Sequence, residues 1–189
     1  MIKPWTIQSS QQVIKDQYIS LRTDRCIRAG GQIVPTFHVL EYTDWVTLIP
    51  LTDAGEIILI REYRHAAGKV MLGLPGGVSD PGESDWAAVG ARELAEETGY
   101  TARELVSVGS CHPNAATQNN LLHYFLALGC EQTSGQKLDP NEEIEVVRMP
   151  YEDFLAYEGL DVQHGLHAAA LFYAERYFQR RPDLRPSAP

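Results

Sequence analysis

Three glutamates, Glu93, Glu96 and Glu97, stand at i, i+3 and i+4 within Arg92-Glu93-Leu94-Ala95-Glu96-Glu97-Thr98-Gly99-Tyr100. An α-helix turns every 3.6 residues, so this spacing predicts three carboxylates on one face. Like charges so placed repel one another. A hard divalent cation, which takes oxygen ligands, would offset that repulsion. The plain alternative is a solvated acidic face, and the surrounding residues argue against it.

Those surroundings are positioning elements. Leu74-Pro75-Gly76-Gly77 is a short apolar run ending in two glycines, which lets the backbone turn and bring carbonyls close to an ion. Asp80-Pro81-Gly82 reads as a turn, with Ser84 or Asp85 as N-cap of the following helix. Ala87, Ala88, Ala91, Leu94 and Ala95 suggest a small-residue face that packs on a sheet. Gly99 is the stop signal.

Gly77, five residues, Glu83, and then Arg92 to Tyr100 resemble the signature of the Nudix hydrolases. One departure is visible: eight residues separate Glu83 from Arg92, where the family pattern has seven. The resemblance implies an α/β fold, a Nudix-type α/β/α sandwich with a mixed β core and an N-terminal antiparallel β ribbon. It implies Glu93 and Glu97 as principal metal ligands, Glu96 sharing a second ion, and a Gly76 carbonyl completing the shell. The metal would be Mg²⁺, with Mn²⁺ as a substitute. Arg92 would orient a carboxylate, with Glu83 as its usual partner.

Residues 1–45 read as a β-rich portion, with strands over 18–27 and 33–42 around Gly30-Gly31. A two-strand ribbon is marginal alone and needs a partner surface. In the ADP-ribose pyrophosphatase branch, which the chain resembles, such a piece exchanges between subunits, which implies a homodimer. Strands over 46–51 and 56–63 follow, flanking the turn 52–55. The second delivers Arg61 and Arg64 to one end of the sheet, and guanidinium forks match phosphate oxygens. The bland reading of that end is a surface ion pair. Another strand, 70–74, feeds the glycine turn.

Beyond the acidic helix, strands are expected over 105–110, 121–128 and 144–147. The intervening loop 112–120 contains Pro113, similar in kind to a substrate-side proline of the branch but nearer the signature, and its His112, Asn114 and Asn119 are candidates for reading a sugar or base edge. Cys130 to Asn141 forms a long loop, a length usually tied to function or disorder. It ends at Glu142 and Glu143, and the resemblance implies that one of these is the general base, Glu142 before Glu143. Helices are expected over 151–157 and 166–178. His164 and His167 lack a third ligand nearby. The domain plan is therefore a 1–45 appendage, a 46–180 catalytic domain and a 181–189 flexible tail.

The 189 residues carry a formal net charge of −9, which argues against a broad nucleic-acid interface. Hydrophobic residues at 44% and charged residues at 22% are ordinary globular values. Cys26, Cys111 and Cys130 lack metal-ligand spacing and read as reduced, packing thiols of a cytoplasmic protein. No apolar run reaches the ~20 residues that span a membrane, and the first residues lack a signal-peptide core. The expected reaction is metal-dependent hydrolysis of a nucleoside diphosphate sugar, ADP-ribose first, to AMP and ribose 5-phosphate. A broader or GDP-mannose-type hydrolase, or a Nudix-fold sensor without catalysis, are the alternatives.

Overall fold

Strand-forming residues dominate the middle of the chain: Trp45–Leu51 (β4) and Glu56–Arg64 (β5) carry the runs Val46–Leu51, apolar but for Thr47, and Ile57–Ile60, which are buried throughout. Runs without polar alternation belong to strands covered on both faces. The computed structural model describes residues 1–159, 161 and 164–186, in two compact units.

The first unit comprises residues 1–44 and 111–121. It is an antiparallel sheet in the order β1 (Thr6–Lys15), β2 (Ser20–Ile27), β3 (Ile33–Leu40). Strand β1 adds to the expected two-strand ribbon; its TIQSSQQVIK sequence is mostly polar, and every residue is exposed. Buried Asp24 ties the sheet together, accepting from Ser10 Oγ at 2.6 Å and from Arg22 Nε at 3.1 Å. Pro113 lies in the turn 113–117, where Gln118 N–H donates to the Asn114 carbonyl at 2.8 Å.

The second unit spans 45–110 and 122–186 of the described residues. Its remaining elements are β6 (Lys69–Gly73), α1 (Trp86–Thr98), β7 (Tyr100–Thr101), β8 (Glu104–Cys111), β9 (Leu122–Leu128), β10 (Glu131–Gln132), β11 (Ile144–Pro150), α2 (Tyr151–Leu155) and α3 (Gly165–Phe178). The main sheet runs β11-β5-β4-β9-β8, with β6 also on β5. Strands β4 and β9 are parallel, while β5 is antiparallel to β4, β6 and β11, so the sheet is mixed as expected. Phe125 and Ala127 of β9 join Val89 and Leu94 of α1 in one core cluster, whereas Tyr124 stacks with Tyr173 of α3 at 5.1 Å. Because successive side chains alternate across a sheet, α1 and α3 cover opposite faces.

The packing face of α1 differs from the expected alanine stripe. Val89, Gly90, Leu94, Glu97 and Thr98 are its buried residues, while Ala88 and Ala91 are exposed. Gly90 lets the helix settle on β4, since a Cβ there would stand 3.1 Å from Val46 and 3.2 Å from Leu48. Residues 181–186 are tied down rather than free: Pro182–Leu184 form a 3-10 turn, and Arg185 pairs with Glu152 at 2.9 Å and with Glu175. The rest of the expected tail, 187–189, lies outside the described residues. Cys26 and Cys130 are buried thiols, and Cys111 is half-buried. No helix among the described residues is long and apolar enough to cross a membrane.

Candidate active site

The turn before α1 absorbs the extra residue of the signature. Glu83 N–H donates to the Asp80 carbonyl at 3.1 Å, and Asp80 N–H donates to Glu83 Oε2 at 2.7 Å, closing a reciprocal turn. Asp85 is the N-cap, accepting from Ala88 N–H at 3.1 Å, and the helix starts at Trp86. The added residue thus falls outside the helix and leaves the register from Arg92 to Glu97 intact. Glu83 Oε2 still stands 3.8 Å from Arg92 Nη2.

Helical spacing then brings Arg92, Glu93, Glu96 and Glu97 to one cavity of about 400 Å³, together with Gly76 and Gly77. Arg92 Nη1 reaches Glu93 at 2.9 Å and Glu96 at 3.1 Å. Glu97 is 7% exposed, and its Oε2 accepts from the Gly76 N–H at 2.8 Å. The flanking carbonyls of Pro75 and Gly77 accept from Leu48 and Val46 N–H, each at 2.9 Å, which fixes the loop against β4. Gly76 has φ of +151°, and a Cβ there would run into the Val46 carbonyl oxygen. A Cβ on Gly77 would sit 2.5 Å from the Glu93 carboxyl group. Glycine at both positions is what lets loop and glutamates approach.

Two further walls complete the cavity. Strand β5 contributes Glu62 and Arg64, which are ion-paired, and the segment before β11 contributes Lys137, Asp139 and Glu142. Glu142 Oε2 accepts from Asp139 N–H at 3.0 Å, and Glu142 N–H donates to the Asp139 carbonyl at 2.9 Å. Seven carboxylates and three cationic side chains line the cavity.

That excess shows in the acidities. Burial pushes Glu97 up to about 8, against the Gly76 hydrogen bond, with Glu93, Glu62 and Glu142 adding repulsion. Burial also raises Glu93, opposed by Arg92 and reinforced by Glu96 and Glu142, and it raises Glu62, opposed by Arg64 and reinforced by Glu142. A crowd of hard oxygen donors with surplus negative charge suits a hard divalent cation. Among the described residues no three acidic, histidine or cysteine side chains form a closed metal cage; Arg92 and the Gly76 N–H hold the helix glutamates instead.

The structure separates several residues that the sequence groups. Arg64 lines the cavity, but Arg61 points to the other side of β5 and pairs with its cross-strand partner Glu145 at 2.9 Å. Glu142 lines the cavity, and exposed Glu143 is absent from the lining. Pro113 belongs to the first unit. Glu62 escaped the sequence reading, although its two-residue spacing from Arg64 was a usable signal. His164 and His167 stack at 4.3 Å; burial pushes His167 down to about 3, and its neutral ring accepts from Leu74 N–H at 3.4 Å.

Comparison with known proteins agrees with this geometry. Residues 42–169 match the family described as NUDIX domain, and residues 5–40 match the family described as Nucleoside diphosphate sugar hydrolase N-terminal domain. An ADP-ribose pyrophosphatase of Bacillus subtilis (strain 168) is 29% identical over 182 residues, covering 94% of each chain. A methanol dehydrogenase activator of Bacillus methanolicus is 23% identical over 149 residues, covering 78% of this chain and 80% of its own. A solved structure described as an ADP compounds hydrolase superposes with a TM-score of 0.82 at 24% identity, covering 96% of this chain and 97% of its own, a likeness of fold. With the signature helix, its glycine turn and the acidic cavity all supplied by the matched segment, the chain belongs to the Nudix hydrolase family.

Proposed function

We propose that this Nudix hydrolase cleaves the diphosphate bond of a nucleoside diphosphate sugar with Mg²⁺, ADP-ribose being the first substrate and AMP and ribose 5-phosphate the products. The observation that carries this reading is the buried carboxylate of Glu97, held by Gly76 and crowded by Glu93, Glu62 and Glu142. Glu93 and Glu97 would hold the metal, with Glu96 and the Gly76 carbonyl beside them, and Mn²⁺ as a substitute. A cation held there would supply charge neutralisation of the diphosphate oxygens and a lowered pKa for a bound water.

The chain's own groups do the rest. Arg92 fixes Glu93 and Glu96 by charge-assisted hydrogen bonds. Arg64, aligned by Glu62, faces the phosphate oxygens. Glu142 has one oxygen occupied by the Asp139 N–H and offers the other to the proton of the attacking water. Homodimerisation through the first unit is part of the reading, supported by exposed Ile7, Val13 and Ile14 on β1.

The test is product analysis with Mg²⁺ over ADP-ribose, GDP-mannose and related compounds. Release of AMP and ribose 5-phosphate at the highest kcat/KM supports the assignment. Preference for GDP-mannose would move the substrate, and no turnover of any compound would contradict the function. A monomeric mass at micromolar concentration would contradict the dimer.

A further inference from the structure

The helix that carries the cavity glutamates ends with carbonyls that have no partner inside the helix, as every α-helix does. In α1 the C-cap Gly99 and the segment leading to Glu142 together satisfy those of residues 95–97. Gly99 N–H takes the Ala95 carbonyl at 2.9 Å, Lys137 N–H takes that of Glu96 at 2.8 Å, and the Gln136 side chain takes that of Glu97 at 2.7 Å. Thr133 and Ser134 N–H both donate to the Gly99 carbonyl, at 3.0 and 3.1 Å.

Gln136 does one thing more. The same Nε2 donates to the Ile144 carbonyl at 3.0 Å, at the first residue of β11. One carboxamide therefore joins three places: the start of the 136–144 loop, its end, and the last turn of the helix bearing Glu93 and Glu97. Glu142 lies inside the loop so closed.

We propose that Gln136 is a positioning residue that sets Glu142 at its distance from the glutamates of α1. The inference rests on the role of Glu142 proposed above. Gln136 touches neither substrate nor metal in this account, and it acts only through the loop it closes. Without its two hydrogen bonds the loop keeps the Lys137 and Ser134 anchors on the helix but loses the tie to β11, and Glu142 gains freedom relative to Glu97.

The test uses the full chain and three variants: Gln136→Met, which keeps the arm and removes the donors, Glu142→Gln, and the two combined. Gln136→Met should lower kcat about 10-fold or more, since misplacement on the order of an ångström is enough for that, with KM changed less than about 3-fold. Amide hydrogen exchange over residues 137–143 should speed up at least about 10-fold. In the Glu142→Gln background the same change should lower kcat no further. Unchanged kcat, unchanged exchange, or an added loss on the Glu142→Gln background would each overturn the proposal. If wild type hydrolyses no nucleoside diphosphate compound, the proposed function fails, and exchange over 137–143 alone decides whether Gln136 fixes the loop.

Discussion

The backbone N–H of Gly76 donates to Glu97 Oε2 at 2.8 Å, so the glycine loop and the acidic helix are joined at the carboxylate under most electrostatic pressure. Each constrains the other: the loop can approach only because Gly76 and Gly77 lack side chains, and Glu97 can be buried only because an N–H meets it.

Substitution at the two glycines should separate fold from function. In Gly77→Ala the added Cβ meets the end of a side chain, Glu93, which can move aside. Stability should fall by about 1 kcal/mol or less, while kcat drops about 10- to 100-fold as Glu93 is displaced. In Gly76→Ala the obstacle is the backbone carbonyl of Val46, at a positive φ. A loss of about 2–4 kcal/mol is expected there. Thermal unfolding and steady-state kinetics on both variants check this.

The raised acidities fix the sign of a pH effect. Glu97, Glu93 and Glu62 bind their protons more tightly folded than unfolded. Their contribution to stability is therefore full below the ordinary glutamate range and lost as pH rises toward about 8, the folded value for Glu97. In chelator, the melting temperature should fall by several degrees between pH 5 and pH 8. Adding Mg²⁺, which favours the ionised carboxylates, should restore it most at the upper end. A stability flat across this range in chelator would contradict the assigned burial.

Arg92 and Glu83 differ in grip. Arg92 meets Glu93 and Glu96 within hydrogen-bond reach, whereas Glu83 is 3.8 Å away. Arg92→Ala should lower kcat/KM by about 100-fold and Glu83→Ala by about 10-fold or less. The double variant should match Arg92→Ala alone, because Glu83 acts through the arginine.

The two arginines of β5 should divide cleanly. Arg64→Ala is expected to raise KM about 10- to 100-fold, the worth of one charge-assisted hydrogen bond. Arg61→Ala removes an exposed pair with Glu145 and should change KM less than about 3-fold. Equal effects would mean that strand alternation does not decide which arginine meets substrate.

What could be read in the sequence was whatever depends on local period. Glu93, Glu96 and Glu97 follow from helical spacing, Gly76 from turn chemistry, and β4 and β5 from largely apolar, strand-forming runs. The extra residue before Arg92 departs from the family spacing, but the cap at Asp85 places it outside the helix, and only three-dimensional structure shows that. Strand β1 was invisible because TIQSSQQVIK has no inward-facing apolar set. The alanine stripe misled because small residues serve equally on an exposed face, and Val89 and Gly90 took the packing role. Glu62 has a local partner in Arg64, but its place beside Glu142, like the reach of Gln136 to Glu97 and Ile144, joins residues distant in sequence that no local pattern encodes.

The central claim is that Glu97 serves a metal-dependent cleavage of a nucleoside diphosphate compound. It is tested most directly by comparing wild type with Glu97→Gln in a Mg²⁺-dependent assay with ADP-ribose. Glu97→Gln keeps the shape and an acceptor for Gly76 but removes the charge. The account predicts Mg²⁺-dependent turnover by wild type and a loss of about 1000-fold or more in kcat for the variant. Equal turnover by the two proteins would contradict it.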